Sequence, residues 1–369
     1  MTTLVTGGAG FIGTHLTRRL LEEGERVIVL DSLESQVHDG TVPALPTGAV
    51  FVQGDVGDTA VVDAALKGVD RVVHLAAAVG VGQSMYEMAS YVRRNTLATA
   101  IMLERLVARS PRPAKLVVAS SMSIYGEGEY VCDDHGPLAP PLRSEAQLSA
   151  RDWECRCPDC GAELRPLPTR EVKPLLPASV YAITKRDHEE LCLVAGAAYG
   201  IPTVALRFFN VYGPGQALSN PYTGVAAIFS ARLLHGRPPL IFEDGRQSRD
   251  FIHVSDIVEG IMRALASDEA IGHAINLGTG RPTTVSRVAS VLAEGLERFV
   301  EPKITGRYRA GDIRHCYADV SEAERLLGFR ANVALEDGFA ELIDWLADQE
   351  PVDRVEAATG ELVTRGLAR

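Results

Sequence analysis

The run Leu4-Val5-Thr6-Gly7-Gly8-Ala9-Gly10-Phe11-Ile12-Gly13 decides the fold. Residues 3–5 read as a short strand and the amphipathic stretch 11–21 as a helix. Between them Gly7, Gly10 and Gly13 stand at GxxGxxG spacing. The first glycine permits a tight turn, the second lets a pyrophosphate approach the backbone, and the third lets helix pack on strand. Phosphates would then meet the N–H groups at the helix N-terminus, around Phe11 and Ile12. A second strand, 26–30, ends in Asp31. An acid there holds adenosine ribose hydroxyls and repels a 2′-phosphate, so the expected cofactor is NAD rather than NADP.

Outward from this turn, strands and helices alternate. Residues 50–53 read as a strand, followed by Gly54-Asp55-Val56, placed to lie against an adenine edge. Residues 59–66 form a short helix, 71–75 a buried strand, and Leu75-Ala76-Ala77 leave room for a cofactor at its end. The stretch 85–109 reads as one long helix, and 115–119 as the strand that delivers Ser120 and Ser121. This rhythm predicts an α/β fold with a doubly wound, Rossmann-type parallel sheet and its ligand at the carboxyl ends of the strands. The expected organisation is a cofactor lobe over 1–208, with 250–278 packing back onto it, and a smaller C-terminal substrate lobe over 209–350. A tail follows over 351–369, polar and read as a loose final helix.

Composition narrows the function. The chain has 369 residues, 46% hydrophobic and 23% charged, with a net charge of −11. That describes a globule with a sizeable core, and the acidic balance argues against a nucleic-acid partner. No run approaches the ~18 apolar residues of a membrane span, and the first strand begins almost at once, so a cytoplasmic enzyme is expected. Four of the six cysteines lie between 132 and 160, a clustering that suggests metal in a reducing compartment.

Tyr181 and Lys185 stand four apart, on one face of the helix expected over 180–199. An ammonium beside a phenol favours the phenolate, so the pair is expected to lower the Tyr181 pKa and make it a general base.

Together these features resemble the extended short-chain dehydrogenase/reductase family, in its nucleotide-sugar epimerase/dehydratase class. The resemblance rests on the glycine turn, Gly54-Asp55, His74-Leu75-Ala76-Ala77, 120–126, Tyr181/Lys185, 206–213, 249–256 and 309–312. It implies that Ser121, four residues before the Tyr125 of Ile124-Tyr125-Gly126, binds the oxygen at sugar carbon 4 beside Ser123. It implies that Lys185 also holds the nicotinamide ribose and that Asn95 steadies the cofactor site. Asn210, Arg249 and Arg309 would grip the substrate diphosphate, and Asp312 the ribose hydroxyls. Dehydratases of the class carry an Asp-Glu pair after the Ser/Thr; here Met122 and Ser123 stand there, and neither supplies a proton as a carboxylic acid does. Oxidation and re-reduction at a carbinol remain, the equipment of a 4-epimerase. A 4-ketoreductase is the alternative, and a non-catalytic NAD-sensing module a remoter one. The resemblance also implies a homodimer built on helices 85–109 and 180–199.

The regular rhythm breaks over 127–177. Cys132 and His135 form C-x2-H; Cys157 and Cys160 form C-x2-C with the Pro and Gly of a knuckle turn. The two pairs predict a structural Zn²⁺ site that folds a segment too poor in apolar residues to form its own core, with Cys155 as a substitute for His135. Most of the class lacks this insertion. Through it, and through 79–86 and 216–224, the chain resembles the dTDP-L-rhamnose 4-epimerase subfamily, which implies a dTDP-6-deoxyhexose substrate.

Overall fold

In a computed structural model the described residues are 1–38, 44–298, 300–309 and 311–369. Seven strands form the central sheet: β1 (Thr2–Thr6), β2 (Arg26–Asp31), β3 (Val50–Gln53), β4 (Arg71–His74), β5 (Lys115–Ser121), β6 (Thr203–Phe208) and β7 (Ala274–Leu277). Their order is β7-β6-β5-β4-β1-β2-β3, with every pairing parallel. The order reverses at β1 and β4, so a crevice opens at their carboxyl ends, where the glycine turn begins.

Alternation along the strands explains the layering. Val5, Val29, Val73, Val117 and Leu206 face one core, under the helices Phe11–Glu22 and Val254–Ala266. Leu4, Ile28, Val72, Leu116 and Ala205 face the other, under Thr59–Ala65, Ala98–Ala108 and Val180–Tyr199. A strand covered on both faces must be apolar at both parities, which is how these strands read.

A third core, around Tyr212, Phe229, Phe251, Leu292 and Phe339, belongs to the C-terminal half. There Ser248–His253 pairs with Asn210–Tyr212, Pro282–Thr284 and His315–Cys316.

Two segments differ from the sequence expectation. The single helix over 85–109 is broken into Val81–Ser84, Met88–Tyr91, a wide π-turn Val92–Leu97 and Ala98–Ala108. The wide turn rotates Asn95 inward, and such bulges recur where a side chain must be re-aimed. The insertion is not structureless. Glu129–Cys132 pairs antiparallel with Gly136–Leu138 and Arg165–Leu167, and Tyr130, Cys132, Cys155, Cys157 and Leu164 form a small core of their own. The tail carries the helix expected there, Val355–Thr364, after which Tyr308 and Arg369 exchange two backbone hydrogen bonds. Among the described residues no helix is long and apolar enough to cross a membrane.

Candidate active site

The glycine turn is built as its spacing requires. Gly7 has φ +68°, and a Cβ there would lie 2.8 Å from the Ala76 backbone nitrogen. Leu75, Ala76 and Ala77 therefore sit against the turn. A Cβ on Gly13 would lie 2.3 Å from the Gly7 carbonyl oxygen, so only glycine lets this helix seat on the turn. Gly10 is the N-cap of Phe11–Glu22 and provides no side-chain cap. First-turn N–H groups left without a side-chain partner are a place for an anionic oxygen.

Asp31 closes the other side. Its carboxylate accepts from the Ala9 N–H (3.1 Å) and the Leu33 N–H (2.9 Å), with His38 Nε2 at 3.5 Å. Burial opposes its ionisation, but His38 and the two backbone donors outweigh it and hold the carboxyl below the ordinary aspartate range. Asp55 accepts from the Gly57 N–H at 2.6 Å, and Val56 is buried in the second core.

The catalytic candidates converge at the end of β5. Ser121 caps the 3-10 turn Met122–Tyr125, accepting from the Ser123 N–H at 3.2 Å, and its hydroxyl acts on the Tyr181 phenol. Tyr181 begins the helix Val180–Tyr199, whose N-terminus is held twice: the Ala182 N–H donates to Ser179 Oγ and the Tyr181 N–H to Ser84 Oγ. One turn on, Lys185 Nζ donates to the Ala119 carbonyl and lies 3.4 Å from His188 Nδ1.

This geometry corrects the expected electrostatics. Burial pushes the Tyr181 phenol up to about 12, the Ser121 hydroxyl offsetting part of the rise. Lys185 does not contribute, because its ammonium faces β5 and His188 rather than the phenol. Burial also brings Lys185 down to about 8, so at neutral pH it remains mostly charged.

Asn95 is buried between two segments of the site. Its Oδ1 accepts from the Ala78 N–H (2.7 Å), and its Nδ2 donates to the Ala78 carbonyl (3.1 Å) and Thr184 Oγ1 (2.9 Å). It ties the loop after β4 to the Tyr181 helix. His188 was not read from the sequence, although its i,i+3 spacing from Lys185 would have pointed to it. Its ring stacks on His74 at 5.1 Å, and burial, followed by repulsion from Lys185 and His74, keeps it neutral. Ser84 gave no local signal.

The substrate candidates are spread over the C-terminal half. Asn210 Oδ1 and Ser123 Oγ are buried without a hydrogen-bond partner among the described residues, atoms a bound polar ligand would satisfy. Arg249 spends three donor contacts on carbonyls, to Ser248 and Arg314 through Nη1 and to Ile313 through Nη2. Arg309 donates to Asp312 at 2.8 Å and lies over the Phe242 ring at 4.8 Å. Ala310, between them, lies outside the described residues.

In the insertion, one donor atom from each of Cys132, His135, Cys157 and Cys160 lies within 4.8 Å of the others. Cys132 Sγ is 3.7 Å from Cys160 Sγ, and His135 Nδ1 is 3.5 Å from both Cys132 Sγ and Cys157 Sγ. All six cysteines are free thiols. Hydrogen bonding to His135 draws the Cys132 thiol down to about 7. Cys155 is not one of the four, and burial raises its thiol well above the ordinary range.

Comparison with known proteins agrees with this arrangement. A model of the NAD dependent epimerase/dehydratase family matches residues 3–145 and 160–278. The chain is 34% identical to the dTDP-L-rhamnose 4-epimerase of Burkholderia thailandensis over 94% of its own length and 95% of that protein. Among solved structures it superposes on the UDP-glucose 4-epimerase of Thermotoga maritima with UDP-glucose at TM-score 0.77 and 30% identity, covering 94% of this chain and 99% of that one. It superposes on the UDP-glucuronic acid 4-epimerase of Bacillus cereus with UDP-glucuronic acid and NAD at TM-score 0.74 and 28% identity, covering 94% and 99%. The glycine turn, the Ser-Tyr-Lys geometry and matches spanning nearly the whole length assign the chain to the NAD-dependent epimerase/dehydratase family of enzymes.

Proposed function

We propose that the protein is an NAD-dependent nucleotide-sugar 4-epimerase acting on a dTDP-6-deoxyhexose of the dTDP-L-rhamnose type. The observation that carries the reaction is the Ser121–Tyr181 hydroxyl pair over Lys185, with no carboxylate at positions 122 or 123 to drive elimination. The full-length likeness to the Burkholderia protein supports the sugar. The unpartnered Asn210 and Ser123 atoms support a polar ligand alongside.

Gly7, Gly10 and Gly13 would hold the pyrophosphate, Asp31 the adenosine ribose and Lys185 the nicotinamide ribose. When bound, NAD supplies the hydride acceptor, and later donor, at carbon 4. Ser121 orients the carbon 4 hydroxyl and passes its proton to Tyr181. A phenol near 12 is a reluctant base at neutral pH. The positive charge of an oxidised nicotinamide would favour its phenolate when proton removal is needed. The 4-keto sugar then turns, and Tyr181 returns the proton after reduction from the other face. Asp31 disfavours the 4-ketoreductase alternative, which draws on phosphorylated reductant.

Zn²⁺ is the proposed occupant of the insertion. Bond lengths of about 2.3 Å to sulfur and about 2.0 Å to nitrogen at tetrahedral angles give edges of about 3.8 Å and about 3.5 Å. The separations of 3.7 and 3.5 Å support that ion. Four protein ligands leave no open position, so the metal is structural. A homodimer through the helices of residues 88–108 and 180–199 is supported by exposed Met88, Val92, Leu97, Ile183 and Val194. The proposed lobes divide near residue 208.

The test is incubation with dTDP-L-rhamnose, UDP-glucose and UDP-glucuronate without added reductant, with products resolved by NMR. Reversible formation of the carbon 4 epimer of the dTDP sugar is expected. No epimer from any of the three, or obligatory NAD(P)H consumption, overturns the reading.

A further inference from the structure

The insertion touches more than its own ligands, and what it touches is the loop assigned above to the nucleotide sugar. Glu154 and Trp153 lie three and four residues before Cys157. Glu154 accepts from the Arg314 guanidinium, at 2.5 Å from Nη2, and its other oxygen lies 3.1 Å from His315 Nε2. The Trp153 carbonyl accepts from Arg143 Nη1 at 2.9 Å, while Arg143 Nη2 donates to the Asp312 carbonyl at 3.0 Å. At the insertion's other end the carboxylate of Glu127 accepts from the Arg314 N–H at 2.8 Å. Arg314 is fully buried. The loop from 312 to 315 is thus fastened from three points of the insertion, and its carbonyls at 313 and 314 are the ones that hold Arg249.

We propose that the metal-held insertion is a positioning element for nucleotide-sugar binding. The four ligands fix Cys157, and with it Glu154 and Trp153; these latch residues 312–315, and that loop sets the direction of Arg249. Arg314 also pairs with Glu243 at 3.0 Å and Asp244 at 2.6 Å, so losing Glu154 leaves its charge partnered but frees the loop from the insertion. Removing the metal therefore loosens the diphosphate grip. The cofactor turn makes none of these contacts and is spared. The inference rests on the proposed metal and on the proposed roles of Arg249 and the 309–312 segment.

Two variants test it. Cys160→Ser removes the exposed ligand, and Glu154→Gln breaks the latch while keeping all four ligands. Zinc content is measured by mass spectrometry, binding of UDP, dTDP and NAD by calorimetry, and KM and kcat with the epimerised sugar. Expected are about one zinc per chain in the wild type and in Glu154→Gln, and less in Cys160→Ser. Both variants should lose about tenfold in dTDP or UDP affinity and gain about tenfold in KM, the scale on which outer-sphere partners act. NAD affinity and kcat should stay within about twofold. If the wild type neither contains zinc nor takes it up, the metal reading fails and the inference with it. If zinc is present and lost as expected but nucleotide affinity is unchanged in both variants, the latch is refuted and the metal reading stands. Equal losses of nucleotide and NAD binding also refute it, since they mark general loosening.

Discussion

The glycine turn and the insertion solve the same problem, a loop held rigid beside a ligand, by opposite means. The turn does it chiefly by packing backbone on backbone. Gly13 sits on Gly7, Ala9 donates to Asp31, and the β1 carboxyl end is braced by β4. The insertion does it with four side chains gathered from 132–160 and with contacts that span long separations, the Arg314 backbone N–H on Glu127 across 187 residues and the Glu154–Arg314 ion pair across 160. A device contiguous in sequence carries its own signature. A device assembled from distant residues shows only its cysteines.

Metal removal should separate the two regions most sharply. Structural zinc contributes on the order of 10 kcal/mol of apparent folding free energy in small domains. The insertion's own core is five residues, three of them cysteines. A strong chelator should therefore raise hydrogen exchange throughout 129–138 and 155–167 while leaving 2–31 protected. Unchanged exchange in the insertion breaks the comparison, as does equal loss in the cofactor turn.

Tyr181→Phe is the next largest effect and belongs to the other side. Phe keeps the ring, which stands edge-on to Tyr91 at 6.4 Å, and loses only the hydroxyl. General acid–base groups contribute about 10²- to 10⁴-fold, so kcat should fall about a thousandfold with dinucleotide and dTDP binding intact. Turnover within tenfold of the wild type would remove Tyr181 from the mechanism.

The sequence disclosed the two regions unequally, for physical reasons. The first five strands of the sheet, the glycine turn and the places of Ser121, Tyr181 and Lys185 were legible, because parity and i,i+4 spacing translate directly into geometry. The direction of the Tyr181 shift was not. Whether an ammonium faces a phenol depends on the Ala119 carbonyl and His188, which compete for it. That Asn95 stands near the site was legible, but the π-turn that aims it at Ala78 and Thr184 was not. The four donors of the proposed metal site were legible as two pairs. Their link to Arg249 was hidden, because Glu154 and Arg314 look in sequence like any surface acid and base.

Asp31→Asn probes selectivity at the edge of the turn. The wild-type carboxyl is held below the ordinary range, so its charge persists as pH falls toward that range and is lost only below it. Preference for NAD over NADP should thus be flat between about pH 7 and about pH 8, where Asp31 is ionised and the 2′-phosphate is past its own second ionisation at about pH 6. The neutral variant should lose about tenfold of that preference, about 1.4 kcal/mol, measured as the ratio of dissociation constants. An unchanged ratio would mean that the 2′-phosphate is excluded elsewhere.

The smallest effect lies at the tail, which packs on the 80–86 loop. Leu362 packs over Gly82, at 3.3 Å from where a Cβ would stand, and Arg365 lies 4.3 Å over the Tyr86 ring. Arg365 is also paired with Glu361 one turn earlier. An exposed cation–π contact contributes about 0.5–1 kcal/mol and an exposed i,i+4 pair less. Arg365→Ala should therefore lower the calorimetric Tm by only a few degrees at low salt, and by less at high salt as the ion pair is screened. Because the ring contact depends weakly on salt, the residual shift at high salt measures Tyr86 alone. If that residual vanishes, the tail is held by Leu362 and the Tyr308–Arg369 backbone pairing, and the 80–86 loop owes nothing to Arg365.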